Sequence, residues 1–207
     1  LKNLDSQKMY IGYISLDKIM SYADFKKYVD KQDLSEVWCG VQVLEPQKDK
    51  EDLEEADDSS NKDKAETREE YITDFLSGAA NIGFVCVPSY NAAFNWDDKK
   101  YPALLPGCET DQMDAPDHWD SVENNLKKEN YARQHFVSPL NYLSDQKQFL
   151  EMIAGDDYSP EALKEMASYV KKNGLKIYCF TTIADKDTLL KLSKQSEVYE
   201  IYAEELN

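Results

Sequence analysis

Apolar and polar residues alternate through KMYIGYISL at 8–16, and the run is rich in Tyr and Ile. A period of two marks a half-buried strand. Tyr22, Phe25 and Val29 then recur at helical spacing, which predicts a helix with Ser21 as N-cap and Asp24 in a capping-box-like position. SEVWCGVQVL at 35–44 is β-branched and aromatic and predicts a second strand. The three segments form a β-α-β unit whose strands are expected to run parallel, joined by a right-handed crossover.

The C-terminal end has the same plan. Ser159 and Pro160 open a helix with a stripe of Leu163, Met166, Ala167 and Val170, and Asn173-Gly174 closes it. LKIYCFTTI at 175–183 predicts a strand, Asp185 caps a short helix through Leu189, Leu190 and Leu192, and EVYEIYAEE at 197–205 predicts the last strand. If the echo between the ends is real, both units share one sheet with their helices on one face. The expected class is α/β or α+β: two β-α-β units in one mixed sheet with helices packed on it, plus an irregular middle region.

The middle is less regular. A short helix is predicted at 71–80 and a strand at 81–90, stopped by Pro88. Residues 91–120 show no clear periodicity and carry Phe94, Trp96, Tyr101 and Trp119. A polar helix is predicted at 121–131. Pro139 is expected to break that pattern and open a helix through Leu140, Leu143, Leu150 and Ile153 to Gly155. The whole of 1–207 is read as one domain, with an acidic insertion at about 45–70 and an irregular loop at about 91–120.

Charge sharpens this division. The chain has 24 Lys and Arg against 40 Asp and Glu, a formal charge of −16. Nucleic acid and anionic membrane surfaces are poor partners for such a chain, because both are bound through clustered cations. Residues 45–70 hold 12 acidic and 5 basic residues, with one Leu and no aromatic, and so contribute −7. That composition buries too little apolar surface to offset the entropy of ordering it, so a solvated surface insertion is expected. No run of about 18 apolar residues appears, so no membrane-spanning segment is predicted within the sequence. The first residue is Leu1 and no signal-peptide pattern follows, so the chain is expected to be a processed product or a fragment, which leaves room upstream for an anchor or targeting segment.

The candidate chemistry is sparse. Cys39, Cys86 and Cys179 lie in apolar strand-like runs, where buried small hydrophobes are favoured over a disulfide framework. Cys108, in LLPGCE, is the exposed-type cysteine. With His118 and His135 it offers three potential metal ligands, but without zinc spacing. Phosphate-binding glycine motifs, the serine nucleophile elbow and the HExxH zinc motif are all missing. No cofactor, metal or catalytic residue is expected; a secreted or cytoplasmic hydrolase using carboxylates or Cys108 is the alternative. The contact surface is expected on the long loop, at Trp96, Tyr101, Trp119 and the ladder Asp111, Asp114, Asp117 and Asp120. The ladder's spacing of three does not match an EF-hand, although a bound calcium ion there is conceivable.

The ends also resemble a known family. YISLDK at 13–18, NGLKIY at 173–178 and LLKL at 189–192 are similar to motifs of the C-terminal, extracytoplasmic domain of sigma factor regulators, the membrane-bound anti-sigma factors of Gram-positive bacteria. Cys179 stands where that pattern has Gly, and Ala184-Asp185 replaces a Gly-Pro-like turn. The resemblance implies a non-catalytic sensor on the outer face of the cell membrane, anchored through a segment upstream of Leu1. A sigma factor would be held by the cytoplasmic part of the parent, and an extracytoplasmic ligand or protein would supply the signal. It implies no catalytic residues.

Overall fold

The computed structural model describes residues 1–34, 36–44, 82–87, 99–102, 124–154 and 159–206. Its strands are β1 (Met9–Ser21), β2 (Val37–Val41), β3 (Gly83–Val87), β4 (Lys176–Asp185) and β5 (Val198–Glu205). Its helices are α1 (Tyr22–Gln32), α2 (Glu129–Asp145), α3 (Lys147–Ala154), α4 (Pro160–Asn173) and α5 (Lys186–Leu192). The strands form one sheet in the order β3-β2-β4-β1-β5.

Every hydrogen-bonded neighbour is antiparallel, so the class is α+β and the sheet is antiparallel rather than mixed. The expected parallel relation survives in another form. β1 and β2 are both antiparallel to β4, so they run parallel to each other with β4 between them. β4 and β5 are likewise parallel, with β1 between them. The two β-α-β units are each split by a strand of the other, which gives a β-α-β-β-α-β sheet with β3 added at one edge. The ends of the chain are therefore interlocked, and neither unit can complete its ladder alone.

The helices cover one face, as the echo between the ends suggested. Tyr10, Ile14 and Leu16 of β1, Val37 and Cys39 of β2, and Ile177 and Phe180 of β4 are buried with Phe25, Val29, Leu189 and Leu192 in one core. Ser21 caps α1 by accepting from the Asp24 N–H at 3.2 Å, and its hydroxyl also meets the Asp24 carboxylate at 2.7 Å. Phe25 sets its ring edge-on to Phe180 at 5.5 Å, and Tyr22 stacks on Phe84 at 5.7 Å. Ser159 caps α4 with Pro160 in the first turn, Gly174 at φ 77° ends it, and Asp185 caps α5 through the Thr188 N–H. All three caps were legible as short polar side chains just before apolar stripes.

Pro139 departs from expectation. It lies inside α2 rather than opening a helix. Proline removes one backbone hydrogen bond and costs about 3 kcal/mol in a helix interior. Here Phe136, Val137 and Leu140, all buried, flank it. Burying three such side chains is worth roughly 1.5–3 kcal/mol each, which outweighs the local penalty. The break comes instead at Gln146, whose backbone leaves the helical region and separates α2 from α3. The expected helix at 71–80 and the acidic stretch at 45–70 lie outside the described residues.

Candidate functional site

The face of the sheet away from the helices carries the candidate site. Facing partners on antiparallel strands point the same way, so the register fixes its members. Tyr13 faces Thr181 on one side and Tyr202 on the other, while Trp38 also faces Thr181. Tyr13 and Tyr202 are 41% and 67% exposed, with ring centroids 5.9 Å apart. On β5, Glu200 and Glu204 flank Tyr202 two residues away on either side, so all three share this face. The Tyr13 hydroxyl donates to Glu204 Oε2 at 3.3 Å. Burial, and then the charge of Glu204, push the Tyr13 phenol up, so it stays a donor at neutral pH.

Two glycines shape the other half of the face. A Cβ on Gly40 would lie 3.0 Å from the Tyr178 ring and close upon the Cys179 sulfur. One on Gly83 would collide with the Trp38 indole and the Cys39 carbonyl oxygen. Trp38 and Tyr178 therefore lie low across bare backbone, whereas Tyr13 and Tyr202 stand up at the opposite end.

Of the site residues predicted from sequence, the structure describes only Tyr101. It lies away from this sheet face, 6% exposed and packed edge-on against Tyr142 of α2 at 5.3 Å. Its hydroxyl donates to Asp145 Oδ2 at 3.0 Å, and Lys100 reaches the same carboxylate at 2.9 Å. Ser138 of α2 also donates to the Pro102 carbonyl oxygen. Residues 99–102 are thus clasped to α2. Lys100, and then Tyr101, hold Asp145 below the usual carboxylate range, while Tyr101, and then Asp145, raise Lys100. Trp96, Trp119, Asp111, Asp114, Asp117 and Asp120 lie outside the described residues, as do Cys108 and His118. His135 is buried on α2, edge-on to Phe84.

Of the remaining cysteines, Cys39 and Cys86 are free thiols buried as expected, and Cys179, also free, is half-buried, less than expected. Burial drives the Cys39 thiol well up, with the adjacent Cys86 adding to the effect. These are packing residues rather than nucleophiles.

The sequence pattern at β1 and β5 held the signal for the open-face tyrosines. Tyr13 and Tyr202 each put an aromatic ring at an outward position where a solvated sheet normally carries Lys, Thr or Ser. Alternation alone marks a half-buried strand but does not say which face the helices take.

An α+β domain with one covered and one aromatic open sheet face is the class that the fold defines. The sequence profile of the family described as sigma factor regulator C-terminal matches residues 1–205. The chain belongs to this family, whose name implies a link to a sigma factor through a parent regulator. Comparisons with curated proteins and with solved structures gave no match. Among the described residues, no helix is long and apolar enough to cross a membrane.

Proposed function

We propose that this chain is the extracytoplasmic sensor of a membrane-anchored anti-sigma factor and performs no catalysis. The observation that carries this reading is the match to a regulator's C-terminal region along nearly the whole chain. The parent's sigma-binding part lies elsewhere, and this domain supplies the input. Its mechanism is a population shift: a signal that binds one state of the domain better than another biases the anchor joined to it. The interlocked sheet supports the single-domain reading, because β4 lies between strands of the N-terminal half. The acidic insertion and the loop held at 99–102 are elaborations of that scaffold, and the loop's Trp96, Trp119 and aspartate ladder remain candidate contacts.

Fusion of alkaline phosphatase, which needs export to fold, to the end of this chain in the full-length regulator tests the placement. High activity in a Gram-positive host is expected. Activity at the level of a cytoplasmic fusion, with the fusion protein intact, overturns the reading.

A further inference from the structure

Among the described residues, the open face ends on this side at β5, one of the two outer strands of the sheet. An outer strand presents a row of backbone N–H and C=O groups to any extended segment that can lie beside it. On the open side of that strand the side chains run Glu200, Tyr202, Glu204, all exposed, with Tyr13 behind Tyr202. Among the described residues neither Glu200 nor Glu204 has an ion-pair partner, whereas Glu205, next along the strand, is paired with Lys8 at 2.5 Å. Carboxylate, aromatic ring and carboxylate at alternate positions complement a strand that carries cations at alternate positions. Its ammonium or guanidinium groups would meet the two glutamates, and one would lie over the Tyr202 ring.

We infer that β5 and the open face beside it dock an extended, Lys- or Arg-bearing segment of a protein partner as a sixth strand. Charge decides between occupants. A chain of −16 repels a second copy of itself and an anionic lipid surface, and attracts a basic polypeptide. The inference deepens the sensor reading by naming the chemistry of the partner.

The test is fluorescence anisotropy of a labelled nine-residue peptide alternating Lys and Thr, titrated with the purified 207-residue chain. Binding is expected, weakened at least five-fold by the pair Glu200→Gln and Glu204→Gln, and weakened again by Tyr202→Ser. Asp57→Asn with Asp58→Asn removes the same charge from the acidic stretch and is expected to leave binding unchanged. A peptide of identical composition with its lysines in one block is expected to bind more weakly. Absence of binding, or equal losses from the two double variants, overturns the inference. So does a dimer by light scattering that Tyr202→Ser dissolves, because it would give the face to a second copy. All of these are read on the isolated chain, so they can fail while the phosphatase fusion still places the domain outside.

Discussion

Phe180 is the side chain on which both halves of the molecule converge. It sits at 0% exposure in β4, between Phe25 at 5.5 Å and Tyr28 at 6.2 Å, both edge-on. Its neighbours across the ladder are Ile14 of β1 and Cys39 of β2. Phe180→Ala removes the ring from a site whose walls are rigid sheet on one side and α1 on the other. The expected loss is about 3–5 kcal/mol, including about 0.5–1.5 kcal/mol for each aromatic pair. Urea unfolding followed by both far-ultraviolet circular dichroism and tryptophan fluorescence measures it. With a slope of about 2 kcal/mol per molar, the midpoint should fall by about 1.5–2.5 M. The two probes should stay coincident, because β4 cannot leave the sheet without freeing β1 and β2 together. A fall under about 0.5 M, or a changed slope, would refute the convergence of the halves on this ring.

Other substitutions probe separate features. Gly83→Ala places a methyl against the Trp38 indole and the Cys39 carbonyl, so it should splay β3 from β2 and destabilise more than Gly12→Ala, whose methyl presses on the movable ends of Leu189 and Ile14 and meets the Thr182 carbonyl oxygen only at an ordinary 3.7 Å; thermal melts of the pair rank them. Ser159→Ala should cost about 1 kcal/mol by removing the bond to the Ala162 N–H, and Ser159→Asp should restore most of it. Among the described residues the buried Tyr28 hydroxyl has no hydrogen-bond partner, so Tyr28→Phe should match or exceed wild-type stability in the same melts. Contacts with Lys100 and Tyr101 depress Asp145, and the Thr188 N–H depresses Asp185. Their folded pKa values thus lie below the unfolded value of about 4, and their contributions are complete above it and are lost as pH falls through the folded values. The urea midpoint should drop below about pH 4, and Asp145→Asn should flatten part of that drop. Iodoacetamide should modify Cys39 and Cys86 only upon unfolding, as mapped by peptide mass.

The helix caps and apolar stripes were readable because they depend on neighbours three or four residues away. Ser21 with Asp24 and Ser159 with Pro160 needed no tertiary knowledge. The sheet order was not readable. Alternation in MYIGYISL identifies a strand, but nothing local says that β4 separates β1 from β2, since that pairing joins residues more than 130 positions apart. The path of α2 through Pro139 was hidden for the same reason, because burial against distant elements overrode a local penalty. Tyr101 shows the limit for the candidate site. Loop length and aromatic content marked it as a contact, and the described structure has its hydroxyl on Asp145, 44 residues later. Tyr13 and Tyr202 were visible as letters but gained meaning only once the helices were seen to cover the opposite face.

The most direct test of the sensor role disables the domain within the full-length regulator and reads sigma-dependent transcription. Phe180→Ala combined with Gly83→Ala should unfold this part while leaving the sigma-binding part intact, a point checked by co-purification of the sigma factor. Output should then become fixed and stop responding to envelope stress. A response equal to wild type, with the domain shown to be unfolded, would contradict the claim that the signal enters through it.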